Sequence, residues 1–344
     1  MPQKGKIIIL RFSAMGDVAM VASVLQEFSA QNQDAELVMV SRAAFKPFFN
    51  DIQNLTFHAI HPKTLHKGFF GAFQLFKELL AYKPIAIADL HDNLRSRLIS
   101  TFFRIVGTEI KRIEKGRAEK RKLTRQTNKI LKPLKLTVER YADVFRLLGF
   151  NLKLNHRLKK NEKEIPNNAL AYFNDQTKKR IGISPFAQHI YKMYSLAKME
   201  SVITELNALN YQIFIFGGGA EEQNIAENWE VQFTNVKNLI GSFTLTEELA
   251  LISHLDLMLS MDSSGMHMAS LMGVPVISLW GPTHPFAGFL GYGQSLDNCL
   301  QIEHPSRPTS IYGNKPCLCG TIPCIDRINP NVIVQKIRER ITNG

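Results

Sequence analysis

Four places in this chain set glycine or a charged residue directly behind an apolar run. In "ILRFSAMGDVAM" (9–20) Asp17 follows Gly16 at the tip of a first strand. "GGGAEE" (217–222) follows "YQIFIF", Asp262-Ser263-Ser264-Gly265 follows "LDLMLSM", and Gly281-Pro282-Thr283 follows "PVISLW". Glycine permits positive φ and close backbone approach, and the start of a helix offers unpaired N–H groups to an anion. Any one such turn is common structural punctuation. Neither of the usual phosphate fingerprints is present: Glu222 stands where the third glycine of G-x-G-x-x-G would be, and no G-K-[ST] occurs.

Taken together the side chains say more. Asp262 and His267 are five residues apart across a strand-to-helix turn, with Ser263 and Gly265 between them. Glu221, at another strand end, can accept hydrogen bonds from a ribose diol. Lys192, in "SPFAQHIYKMYSL", can meet a diphosphate as a point charge. Asp17, directly behind Gly16, reads structurally as an N-cap on a helix starting near Val18. Ser13 and Gly16 share its turn, and Arg95 with Ser96 follow the strand end "DLHDN".

Parallel strands must position these residues. "KIIILRF", "AELVMVS" and "PIAIADL" read as strands, with helical spacing over 18–31, "FGAFQLFKELLAY", 93–105 and "VERYADVFRLLGF". Charged, Asn-rich text from Asn151 to Lys179 follows, and the pattern then restarts. "RIGISPF", "YQIFIFGG", "LDLMLSMD" and "PVISLWG" are strands. "SLAKMESVITELNALN", "TLTEELALISHL" (with a Thr244-x-x-Glu247 capping box) and "GMHMASLMG" are helices. The expected organisation is two α/β domains, 1–165 and 166–344, with mostly parallel sheets, the last helix packing back on the first. Such sheets bind ligands outside the carboxyl ends of their strands, where every residue named above falls.

The 344 residues are 45% hydrophobic and 21% charged, as expected of a folded chain of two ordinary domains. Apolar runs are strand length, too short for a membrane span, and Met-Pro-Gln-Lys-Gly-Lys at the amino terminus lacks a signal-peptide cleavage site, which points to the cytoplasm. The net charge of +12 is local: Lys111–Lys135 holds eleven basic residues against two acidic ones. That run reads as a solvated helix face, an anionic-substrate surface or a membrane-facing surface; it lacks the aromatic residues that would stack on bases, which argues against nucleic acid. Cys317, Cys319 and Cys324 crowd into "CLCGTIPC", with Cys299 apart. The spacing matches no usual zinc finger, so they read as free thiols on a loop, zinc ligation and a disulfide being the alternatives.

The stretch from Asp262 through His267 into "GVPVISLWGPT", together with "ILRFSAMGDVAM" and "DLHDNLRS", resembles family 9 glycosyltransferases, the heptosyltransferase family of lipopolysaccharide synthesis. The matches span residues 6 to about 285. The resemblance implies a GT-B fold, two Rossmann-like domains facing a central cleft, and inverting transfer of a sugar, heptose from ADP-heptose, to a lipopolysaccharide core or other anionic lipid-linked saccharide. It implies Asp17 as general base and Lys192 on the departing diphosphate. Glu221, Asp262, Ser263, Gly265 and His267 would hold the donor nucleotide; Ser13, Gly16, Arg95 and Ser96 are the acceptor-side candidates. No cofactor and no catalytic metal are expected, since Asp89 and Asp92 do not make an Asp-x-Asp pair. The expected partner surface is the inner face of the bacterial inner membrane, approached peripherally. In this family one glycine usually stands two residues after the aspartate; here that position is Ser264. The competing readings are a Rossmann oxidoreductase, which the missing G-x-G-x-x-G disfavours, and a nucleic-acid-binding protein using the basic segment.

Overall fold

The computed structural model describes residues 5–342; Met1–Lys4, on which the reading of the amino terminus rests, lie outside the described residues. Two compact units emerge, one of residues 1–115 with 135–155, the other of 116–134 with 156–344.

The first unit is built on β1 (Lys6–Leu10), β2 (Glu36–Arg42), β3 (Leu55–Ile60), β4 (Pro84–Asp89) and β5 (Glu109–Arg112), with α1 (Met15–Gln31), α2 (Gly68–Leu80) and α3 (Leu94–Ile105) between strands. The sheet order is β3-β2-β1-β4-β5, every pair parallel. Ile8, Leu10, Val38, Val40 and Ile87 are buried against Leu75, Leu79, Ile99 and Phe103 of α2 and α3. A parallel strand covered by helices on both faces is apolar at nearly every position, hence the unbroken Ile7-Ile8-Ile9-Leu10. Helix α4 (Arg117–Thr124) belongs to the second unit, and α5 (Thr137–Leu147) returns to stack Phe145 on Phe28 of α1.

The second unit carries β6 (Arg180–Ser184), β7 (Gln212–Ile215), β8 (Val236–Asn238), β9 (Leu257–Met261), β10 (Val276–Leu279) and β11 (Cys299–Leu300). Its remaining helices are α6 (Leu196–Ala208), α7 (Ala220–Gln232), α8 (Leu245–Ser253), α9 (Ser264–Leu271) and α10 (Pro330–Thr342). Its sheet, again all parallel, runs β8-β7-β6-β9-β10-β11. This is the doubly wound order, in which the chain reverses direction across the sheet between β6 and β9; the first sheet reverses in the same way between β1 and β4.

Two boundaries differ from the sequence expectation. Residues 116–134, the middle of the basic segment, belong to the second unit: Lys120 lies over the Phe289 ring at 4.4 Å, Lys129 donates to the Ser306 and Pro308 carbonyls, and Leu134 N–H donates to Phe286. The second unit resumes at His156 rather than Pro166, because the polar stretch after it is stitched down through Asn161 N–H to Met272 and Lys163 N–H to Ser253 Oγ. In helix α10, Ile333, Val334 and Ile337 enter the second core alongside α6. No described helix is long and apolar enough to cross a membrane.

The capping box at the start of α8 forms as its sequence dictates, Glu247 accepting the Thr244 N–H at 2.7 Å. Its neighbour Glu248 turns inward, and burial pushes its carboxyl up from 4.5 to about 7. Between those values the folded protein holds more protons than the unfolded chain, so stability falls as pH rises through that window. The Glu248→Gln variant should lose this dependence: urea titrations at pH 4.5 and 7.5 should show the wild type, relative to the variant, weakened by on the order of 1–3 kcal/mol.

Candidate functional site

In the first unit, the sheet's reversal point gathers charge. Helix α1 starts from Ala14, so Asp17 lies inside its first turn and does not act as the N-cap. Its carboxylate is instead held from two sides: Arg11, just past the end of β1, pairs with Oδ2, and the Tyr141 hydroxyl of α5 donates to Oδ1 at 3.1 Å. Arg11 is itself buried, donating to the Leu90 carbonyl at 2.8 Å and lying 5.7 Å from the Tyr141 ring centroid. Asp17 keeps a quarter of its side chain exposed. A carboxylate so held is aimed and still accessible.

Beyond β4 stands His91, whose Nδ1 accepts the Phe12 N–H at 3.2 Å. Burial first, then the cations Arg11 and Lys115, push it down to about 3, so it is a neutral imidazole at physiological pH. Asp89, fully buried, accepts from the backbone of His91 and Asp92 and from Arg112, which shapes the turn that presents His91. Ser13 and Gly16 lie partly exposed in the Asp17 turn. Arg95 reaches back to the Pro62 carbonyl at 3.3 Å. Ser96 has a different job from the one expected: it is buried and closes the capping box of α3 with Asn93, leaving its hydroxyl engaged by the backbone.

In the second unit the reversal point lies between β6 and β9. Lys192, in the loop after β6, meets Asp262, just past β9, at 3.0 Å, with side-chain exposures of 14% and 9%. Gly265 explains the displaced glycine of this turn: a Cβ there would stand 2.5 Å from the Ser184 Cβ, so only glycine lets α9 approach β6. Ser263 is the N-cap residue of α9, its hydroxyl 3.4 Å from Ser260 Oγ, and His267 is buried one turn further on. Gly313 (φ +81°) lies against the Lys192 stem, where any side chain would collide with it. Glu221 is exposed in the first turn of α7. Glu222, which the sequence reading passed over, folds back to accept the Gly218 N–H at 2.7 Å, and burial raises its carboxyl.

Two further residues here were not among the site candidates: Arg307, which gave no sequence signal, and Thr283, seen only as part of the turn behind "PVISLW". Buried Arg307 donates to the carbonyls of Gly281, Trp280, Thr283 and Ile302 and to the Gln301 amide, fixing the turn after β10. Burial pulls its guanidinium down to about 10, still a cation at neutral pH. The Thr283 hydroxyl in that turn is buried and has no hydrogen-bond partner among the described residues.

The remaining expectations change shape. Much of the basic run is spent on the fold: Arg112 pairs with Asp89, Lys115 with Asp92, Lys111 with Glu109 and Lys135 with Asp143, while Lys120 is buried. The cysteines, expected as free thiols on a loop, are not all free. The Sγ atoms of Cys317, Cys319 and Cys324 lie within 4.8 Å of one another, and only Cys299 stands apart.

The family model for glycosyltransferase family 9 (heptosyltransferase) matches residues 72–313. The lipopolysaccharide core heptosyltransferase OpsX of Haemophilus influenzae is 26% identical over 306 residues, 86% of this chain and 84% of that protein. A lipopolysaccharide heptosyltransferase 3 of Escherichia coli is 34% identical over 105 residues, 29% of this chain and 31% of that protein. Among solved structures, a family 9 glycosyl transferase from Veillonella parvula superposes with a TM-score of 0.76 at 17% identity, covering 99% of this chain and 98% of that one. The E. coli heptosyltransferase WaaC with ADP-2-deoxy-2-fluoro heptose gives 0.67 at 16%, covering 97% and 99%.

Replacing Lys192 with methionine strips the partner from a nearly buried carboxylate and should cost about 2–4 kcal/mol in urea unfolding, whereas Lys192→Met combined with Asp262→Asn should recover most of it. A double-mutant coupling within about 0.5 kcal/mol of zero would mean that this ion pair does not hold the loop.

Proposed function

The chain belongs to glycosyltransferase family 9, the heptosyltransferases, and has that family's GT-B class of fold; from this premise we propose that it moves heptose from ADP-heptose onto a lipopolysaccharide-core acceptor with inversion at the anomeric carbon. The observation that carries the reading is Asp17, a partly exposed carboxylate fixed by Arg11 and Tyr141 at the reversal point of the first sheet.

Asp17 takes the proton from the acceptor hydroxyl as that oxygen attacks the donor carbon, and the bond to the nucleoside diphosphate breaks on the opposite side. A positioned base of this kind contributes on the order of 10²–10⁴ in rate. Arg11 keeps the carboxylate aimed, and neutral His91 adds no competing charge. Lys192 turns from Asp262 to the departing diphosphate, whose developing charge it offsets. Asp262, Ser263, Gly265 and His267 line the nucleotide, with Thr283 offering its hydroxyl. Glu221 or its neighbour Glu222 takes the ribose. Ser13, Gly16 and Arg95 face the acceptor. The WaaC structure with an ADP-heptose analogue supports the choice of donor. With Lys192 supplying positive charge, the transfer step needs no divalent cation, so Mg²⁺ should leave turnover unchanged.

The membrane-facing role expected of the basic run fits another surface better. On α2, Phe69 and Phe73 pack their edges on Phe102, while Phe70 is 84% exposed. Lys77 lies over the Phe73 ring at 4.9 Å, and exposed Lys63 and Lys67 shortly precede the helix in sequence. Aromatic side chains flanked by lysine suit the interface of an anionic leaflet, which supports a peripheral position at the cytoplasmic face of the inner membrane.

Asp17→Asn should leave the fold and ADP binding intact while lowering transfer by ~10²-fold or more; turnover near the wild-type value in a coupled ADP-release assay would place the base elsewhere. Phe69→Ser with Phe70→Ser should weaken co-sedimentation with phosphatidylglycerol vesicles by roughly tenfold without altering transfer to a delipidated acceptor. Undiminished sedimentation would assign membrane contact to another surface.

A further inference from the structure

Three sulfurs meet in the loop that follows the second sheet. Cys317, Cys319 and Cys324 lie in "NKPCLCGTIPC" (314–324), Cys324 fully buried and Cys319 nearly so. The Cα of Cys324 is 5.9 Å from that of Cys317 and 6.0 Å from that of Cys319, so the two stand equally well placed to reach it. One sulfur makes one disulfide bond. Pairing Cys324 with either neighbour leaves the third thiol pressed against the bridge without a role.

A metal ion treats all three alike. With metal–sulfur distances of about 2.3 Å and tetrahedral angles, bound thiolates stand about 3.8 Å apart; Cys317 Sγ and Cys319 Sγ are 2.8 Å apart, so the three sulfurs would open by about 1 Å around an ion. The Arg327 guanidinium donates to the Cys319 carbonyl and holds this part of the loop. We infer that Cys317, Cys319 and Cys324 bind a thiophilic ion of the zinc type through three sulfurs. The fourth position falls to water or to His304, whose Nδ1 lies 2.7 Å from Ser306 Oγ, which in turn is 3.5 Å from Cys319 Sγ.

The ion's task is structural. It joins the stretch around 317–319 to the turn at 324–328, and that turn supports the Lys192 loop: Asp326 accepts the Ser195 N–H at 2.8 Å, and the Tyr194 hydroxyl donates to the Ile328 carbonyl at 2.7 Å. On the other side, Thr309 Oγ1 donates to Pro316 and Ser306 Oγ to Leu318. The site thus pins the segment behind the proposed phosphate-binding lysine, though the inference stands independently of the transfer reaction.

The test uses untagged full-length protein, purified without chelator and analysed by plasma mass spectrometry for zinc and iron. About one ion per chain is expected, retained in Cys299→Ser and lost in Cys319→Ser and Cys324→Ser. Should those variants fail to fold, titration of wild-type protein with an organomercurial should release the ion as three thiols react. Two results overturn the proposal: wild-type protein below about 0.2 ions per chain with four alkylatable thiols, or a peptide in which Cys324 is disulfide-linked to Cys317 or Cys319.

Discussion

A parallel sheet covered on both faces has nowhere to put a charge except beyond the ends of its strands. Every strand pair described here is parallel, and the central strands are apolar along almost their whole length. Ionised groups would lose several kcal/mol inside such layers. They therefore collect where the chain leaves a strand, and most of all where neighbouring strands lead their connections to opposite sides. Arg11, Asp17 and His91 occupy that place in one unit, Lys192 and Asp262 in the other.

At both places a partner of opposite charge settles the electrostatics. Arg11 is anchored on the Leu90 carbonyl before it meets Asp17, so the carboxylate is steered by a group that cannot itself swing away. Lys192 is confined differently, by the Gly313 turn against its stem and by Asp262 at its tip. The contrast suits the assigned chemistry. A base must hold its direction, while a cation meeting a leaving group has only to exchange one anion for another.

The amino-acid sequence displays the alternation of strands and helices because buried parallel strands leave unbroken apolar runs, and it displays the turns because glycine and carboxylates interrupt those runs. It conceals β3, an edge strand whose exposed face admits Thr56 and His58, and β5, whose Glu109-Ile110-Lys111-Arg112 has the look of surface text. Asp17 is legible, but its setting is only half so. Arg11 stands six residues away in the same stretch, whereas Tyr141 arrives from 124 residues downstream on a helix with ordinary amphipathic spacing. The basic run misleads because counting charge does not reveal pairing: Asp89, Asp92 and Asp143 are distant or unremarkable in sequence, yet they absorb much of it. The cysteine spacing fits no familiar finger, and only the folded loop shows the three sulfurs side by side.

Arg307 holds the turn after β10 almost entirely through main-chain oxygens, four carbonyls with a single side-chain amide beside them. A frame built that way is indifferent to which side chains the turn carries. Residues around Thr283 and Ile302 can be exchanged while the path of the chain stays put, so the turn can be re-tailored to a different ligand without rebuilding the frame behind it.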